Sequence, residues 1–166
     1  MSEEQSVANE PTTYNLLFVC SGNTCRSPLA QAIAERAVRD RGWSHVAVRS
    51  AGTSAAGGAP ASENAVLVAR EHSLDLTGHA SQPVGRELLE WADLVLTMSP
   101  SHLFALNELG VGEKAALLTD FVDGPGFGEP VEDPFGGQPD AYRRAYVQIE
   151  TAIDALLAKL EPILAP

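Results

Sequence analysis

The chain has 166 residues, 45% of them hydrophobic and 20% charged, with a formal net charge of −11 and two cysteines. That length and apolar content suit one folded domain and exclude a disordered chain, a minimal disulfide scaffold and a four-cysteine zinc site. No apolar run approaches the ~20 residues needed to cross a bilayer, the first residues lack the basic and apolar regions of a secretory signal, and the acidic balance argues against nucleic acid or membrane as a partner; a reducing, cytoplasmic setting is expected.

Residues 1–13 carry Glu3, Glu4 and Glu10 without hydrophobic period, which predicts a flexible acidic tail ahead of a domain over 14–162. Tyr14 to Cys20 is a short apolar run, as expected of a strand buried on both faces of a parallel sheet. The loop Ser21-Gly22-Asn23-Thr24-Cys25-Arg26 follows, then Ser27 as expected N-cap and Pro28 at the first helical position. Leu29, Ile33 and Ala37, beside Ala30, Ala34 and Val38, form one stripe of a helix that Gly42 stops.

Val46 to Ser50 reads as a second strand, Gly52 to Pro60 as a flexible stretch and Ser62 to His72 as a helix. A short helix over Gly85 to Trp91 precedes a third strand, Ala92 to Met98. Ser99-Pro100 restarts a helix carrying Leu103, Leu106 and Leu109, and Ala115 to Thr119 forms a fourth strand. Asp120 to Pro139 is rich in Gly and Pro and lacks any period, a length at which an unstructured stretch inside a domain is usually functional. A final helix from Asp140 carries Tyr142, Tyr146, Ile149, Ile153, Leu156 and Leu160 on one face and is expected to end before Pro162.

Alternating strands and helices imply an α/β fold with a parallel sheet, helices on both faces and ligands bound beyond the carboxyl ends of the strands. The loop after the first strand lies at such an end. A strand feeding a tight loop that opens a helix turns unpartnered N–H groups toward one point, where the helix dipole also favours an anion. Gly22 and Asn23 tolerate the positive φ that such convergence requires. The same field favours the thiolate of Cys20 at the loop's base, and the planar fork of Arg26 suits two phosphate oxygens. Ser27 is both a candidate cap and a donor to the Cys20 sulfur.

These residues resemble the low-molecular-weight protein tyrosine phosphatases, and within them the bacterial protein arginine phosphatases. The resemblance runs from Tyr14 to about Leu160. It is anchored on Val19 to Pro28, Arg49-Ser50-Ala51-Gly52, Ala92 to Met98 and Asp133-Pro134-Phe135-Gly136-Gly137. It implies a single-domain three-layer sandwich around a four-stranded parallel sheet in the order 2-1-3-4. It further implies that Cys20 attacks phosphorus to give a phosphocysteine, that Arg26 binds the phosphoryl oxygens, and that Asp133 protonates the leaving group and then activates water. Ser21, Gly22, Asn23, Thr24, Cys25 and Ser27 would form the substrate-binding loop, supported by Ser50 and His79.

Thr24 and Phe135 point to the arginine branch. The tyrosine branch resembles a bulky aliphatic residue at position 24, whereas a threonine makes the wall smaller and more polar, beside a carboxylate suited to guanidinium nitrogens. Phe135 takes a place where tyrosines are frequent, and either packs against the substrate or anchors the loop in the core. Cys25 lies near enough to Cys20 for a reversible disulfide if the loop relaxes, or else is a small packing residue. His45, His72 and His102 belong to no motif and are expected to be exposed or in the core.

The expected function is hydrolysis of phosphoarginine in proteins by a monomeric enzyme without cofactor or metal, the cradle itself supplying the positive field. Phosphotyrosine is the alternative substrate. A cysteine phosphocarrier is a second reading, but it needs neither a general acid nor a clamp arginine. Thiol-dependent arsenate reduction normally uses further cysteines, and a catalytically dead anion-binding module would not need Cys20, Arg26, Ser27 and Asp133 together.

Overall fold

The computed structural model describes residues 13–166; the tail expected over 1–13 lies, apart from its last residue, outside the described residues. Four parallel strands, β1 (Tyr14–Cys20), β2 (Val46–Gly52), β3 (Leu94–Thr97) and β4 (Ala115–Leu117), form one sheet in the order β2-β1-β3-β4. The helices are α1 (Arg26–Asp40), α2 (Glu63–Glu71), α3 (Arg86–Trp91), α4 (Pro100–Glu108) and α5 (Pro139–Leu164).

Strand β1 divides the core by its pleat. Leu16, Phe18 and Cys20 face one side with Leu29 and Ile33 of α1 and Tyr146, Ile149 and Ile153 of α5. Leu17 and Val19 face the other with Leu88 and Leu89 of α3 and Leu106 of α4. Side chains alternate with period 2, so a strand covered on both faces must be apolar at consecutive positions. The α1 crossover leads from β1 to β2 on one side, and α4 leads from β3 to β4 in the opposite direction on the other. The strand order therefore reverses between β1 and β3, and an open α/β sheet binds its ligand in the crevice beyond such a point.

Several boundaries differ from the sequence expectation. Helix α1 begins at Arg26 after Cys25, which makes no capping bond, so Ser27 is not the cap; its hydroxyl is held by Cys20 instead. Strand β2 runs to Gly52 because Ala51 and Gly52 stay in register with Val19 and Cys20. Strand β3 is shorter at both ends, since Ala92 closes α3. Strand β4 stops at Leu117, where the chain tightens into a 3₁₀ turn over Leu118–Phe121. Helix α5 passes through Pro162 to Leu164. There Leu164 packs on the core, and its carbonyl bonds His45 Nε2 at 2.9 Å; these tertiary contacts outweigh the single helical bond that a proline forfeits.

Candidate active site

Strand β1 delivers Cys20 to its carboxyl end, and α1 starts six positions later, leaving Ser21 to Cys25 to turn the chain. Among the described residues, none of the backbone N–H groups of Ser21 to Ser27 donates to a protein acceptor. A run of unpartnered amides at an uncapped helix N-terminus is an anion receptor. Gly52 lets the loop sit against β2: a Cβ there would lie 2.3 Å from the Ser21 carbonyl oxygen and 2.9 Å from the Asn23 nitrogen.

Asn23 holds the turn. Its φ is +56°, and its side chain is fully buried. The Gln82 N–H, which can only donate, faces Asn23 Oδ1 at 3.0 Å and so sets the amide's orientation. Nδ2 then donates to Ser27 Oγ at 2.8 Å and Ser50 Oγ at 3.0 Å. The Ser50 hydroxyl donates to Gln31 Oε1 at 2.6 Å, and His79 Nε2 lies 2.7 Å from the Asn23 carbonyl oxygen. Because Ser27 already accepts from Asn23, its proton is free for Cys20 Sγ at 2.9 Å, with the Ala51 carbonyl farther away at 3.4 Å.

Arg26 is 5% exposed and clamped at its far edge, with Nη1 donating to the Val131 carbonyl at 3.1 Å. Val131 is itself tied to the end of β3, its N–H donating to the Met98 carbonyl at 2.8 Å. That tether brings the long loop over the crevice. Two residues on, Asp133 Oδ2 lies 3.7 Å from Arg26 Nη2, while Oδ1 accepts from the Phe135 N–H at 3.1 Å. The carboxylate is 60% exposed, at the mouth of the site.

A pocket of about 250 Å³ joins these groups, lined by Cys20, Ser21, Gly22, Thr24, Cys25, Arg26, Ser54, Asp133 and Phe135. Asn23, Ser27, Ser50 and His79 lie behind it as the supporting network. Phe135 is 76% exposed, so it forms the rim and is not a core anchor. Cys20 and Cys25 are both free thiols. Cys25 Sγ is 3.4 Å from Ser62 Oγ and 3.5 Å from Tyr142 Oη, and burial, followed by the bond with Cys25, raises the Tyr142 pKa. A larger groove nearby is lined by Glu132, Asp140, Arg143 and Arg144, but its arginines are already paired with Glu71, Asp140 and Glu132.

Four participants carried no signal used in the sequence reading. Gln31 and Gln82 complete the Asn23 network, Ser54 lines the pocket, and His102, expected to be exposed or in the core, is buried against the loop with Nε2 2.9 Å from Ser21 Oγ. Burial first, and then the Arg26 charge, lower the His102 pKa to about 4, with Asp133 pulling the other way. Its place was readable in one respect: Ser99 to His102 opens a helix directly beyond β3, beside the reversal of strand order.

The arrangement gathers a thiol, a run of unpartnered amides, a guanidinium and a carboxylate around one pocket. Such a set can hold a tetrahedral oxyanion.

A sequence profile of the low molecular weight phosphotyrosine protein phosphatase family matches residues 15–163. The protein-arginine-phosphatase of Geobacillus stearothermophilus is 39% identical over 150 residues, covering 89% of this chain and 97% of that protein. A low molecular weight protein-tyrosine-phosphatase of Streptomyces coelicolor is 35% identical over 155 residues, covering 88% and 93%. Among solved structures, a cysteine-to-serine mutant of the YwlE arginine phosphatase with a phosphorylated active-site serine superposes with a TM-score of 0.82 at 35% identity, over 89% of this chain and 95% of that one.

Proposed function

The chain belongs to the low molecular weight phosphotyrosine protein phosphatase family, and from that premise we propose that it hydrolyses phosphoarginine in proteins through a phosphocysteine intermediate. One observation carries the reading: Cys20, Arg26 and Asp133, from three separate elements, line one pocket beneath unpartnered amides.

In the first step the Cys20 thiolate attacks phosphorus, the P–N bond breaks, and Asp133 gives its proton to the departing guanidine nitrogen. The amides and Arg26 hold the three phosphoryl oxygens while charge redistributes among them. In the second step Asp133, now a carboxylate, takes a proton from water as the water attacks phosphorus. The P–S bond breaks, phosphate leaves, and Ser27 stabilises the returning thiolate. Asn23, Ser50 and His79 keep the loop in the conformation that aims its amides. A reducing cytoplasm suits the two free thiols.

Similarity to the arginine phosphatases supports the guanidinium substrate, as do the half-buried Thr24 in the pocket wall and the Asp133 carboxylate at its mouth. Phe135, exposed at the rim of the pocket, offers an apolar ring against the substrate side chain. The test compares kcat/KM for phosphoarginine and phosphotyrosine in the same peptide, with Cys20→Ser and Asp133→Asn as controls. Preference for phosphoarginine, lost in both controls and shifted toward phosphotyrosine by Thr24→Ile, is the expected result; activity confined to phosphotyrosine overturns the assignment.

A further inference from the structure

The Ser21 hydroxyl and His102 have no role in the reaction described above, yet they form a chain that ends in the same pocket. His102 lies in the first turn of α4 and is 3% exposed. Its Nε2 is 2.9 Å from Ser21 Oγ, its Nδ1 is 3.0 Å from Ser99 Oγ, and Ser99 Oγ is 2.8 Å from Ser101 Oγ. Ser99 occupies the N-cap position of α4 but makes no side-chain capping bond. Its hydroxyl is committed to the imidazole, although a serine there normally serves the helix.

We infer that His102 is a positioning residue whose neutral imidazole donates from Nε2–H to Ser21 Oγ, turning the Ser21 hydroxyl proton onto a phosphoryl oxygen. The inference rests on reading the pocket as a phosphoryl site. Its direction follows from the acceptor end of the chain, because ionised phosphoryl oxygens only accept hydrogen bonds. Ser21 must then donate to the anion and accept from Nε2–H, leaving the Nδ1 lone pair to accept from Ser99, which accepts in turn from Ser101. Bonds running in one sense polarise each other. The opposite tautomer would spend the Ser21 proton on the imidazole and turn an oxygen lone pair toward the anion.

A charged imidazole is disfavoured here by burial and by Arg26. The neighbourhood thus keeps His102 as a neutral relay of orientation, and Arg26 remains the cation of the pocket. Ser21, which lines the cavity, becomes a donor to substrate beside the amides.

The test uses the full chain. Long-range proton–nitrogen spectra of the histidine rings, with His102 assigned by the signal missing from His102→Gln, should show a neutral ring protonated at Nε2 at neutral pH. Inhibition by inorganic phosphate is then measured for Ser21→Ala, His102→Asn, His102→Gln and the double variant S21A/H102N. Losing a hydrogen bond to a charged group should raise the inhibition constant about tenfold in Ser21→Ala and in His102→Asn. The double variant should bind phosphate no more weakly than either single one, because His102 acts through Ser21. A glutamine amide reaches the Nε2 position and should restore binding to within about threefold, whereas an asparagine amide stops near Nδ1.

An Nδ1-protonated ring, losses that multiply in the double variant, or glutamine no better than asparagine would each overturn the inference. The spectrum of the unaltered protein, assigned from whichever His102 variant folds, decides even where another variant folds poorly. A parent protein that binds phosphate with these couplings, yet hydrolyses neither phosphoarginine nor phosphotyrosine, would instead refute the proposed reaction.

Discussion

Replacing Asn23 separates the two things it supplies, a tolerated left-handed turn and an oriented amide. Asn23→Ala removes three side-chain hydrogen bonds, to Ser27 Oγ, Ser50 Oγ and the Gln82 N–H. At about 1 kcal/mol each these contribute about 3 kcal/mol. Alanine at a φ of +56° adds about 1 kcal/mol beyond what asparagine bears, since asparagine tolerates that region better than other residues with a Cβ. The sum, about 4 kcal/mol, is a large share of the roughly 5–15 kcal/mol that holds a domain together.

Asn23→Gly loses the same three bonds without the left-handed strain, and its extra freedom when unfolded costs back about 0.5 kcal/mol. Glycine should therefore be the more stable of the two variants by about 0.5 kcal/mol. Urea unfolding measures both values, and turnover of phosphoarginine measures the loop. Both variants should fall about a hundredfold in kcat, the cost of misdirecting one donor in an oxyanion site. A loss below about 1 kcal/mol in Asn23→Ala, an alanine variant at least as stable as the glycine one, or an undiminished kcat would refute the role assigned to this residue.

Three other outcomes follow from the same geometry. Gly52→Ala places a Cβ 2.3 Å from the Ser21 carbonyl oxygen and 2.8 Å from Ala55 Cβ; the shift of the cradle should cost about 1–3 kcal/mol in urea unfolding, with a fall in kcat/KM. His102 titrates near pH 4 when folded against an ordinary 6.5, so the unfolded chain binds the extra proton between those values; its contribution to stability is present above about pH 6.5 and lost as pH falls toward 4, and His102→Gln should flatten that part of the stability profile. Peroxide should inactivate the protein and a dithiol restore it, through a Cys20–Cys25 bond that shields the nucleophile from further oxidation. Equal recovery by Cys25→Ser would refute the shielding.

The linear chain already determined the scaffold and the floor of the site. Tyr14 to Cys20 is apolar at consecutive positions because both its faces are covered, and the Gly22-Asn23 pair followed by Ser27-Pro28 marks a turn into a helix; such local signals depend on spacing along the chain and survive without coordinates. Alternating strands and helices likewise placed the loop at a carboxyl end, where α/β sheets bind ligands. Asp133 was legible through family resemblance and the long aperiodic loop that carries it, while its arrival depends on the Val131 tether to Met98. Tertiary structure alone decided that Ser27 does not cap its helix, that Gln31 and Gln82 close the Asn23 network, and that His102 meets Ser21. Hydrogen bonds between side chains remote in sequence have no periodicity to betray them; they exist because the sheet brings the ends of β1, β2 and β3 together, and buried polar groups must then find partners in one another.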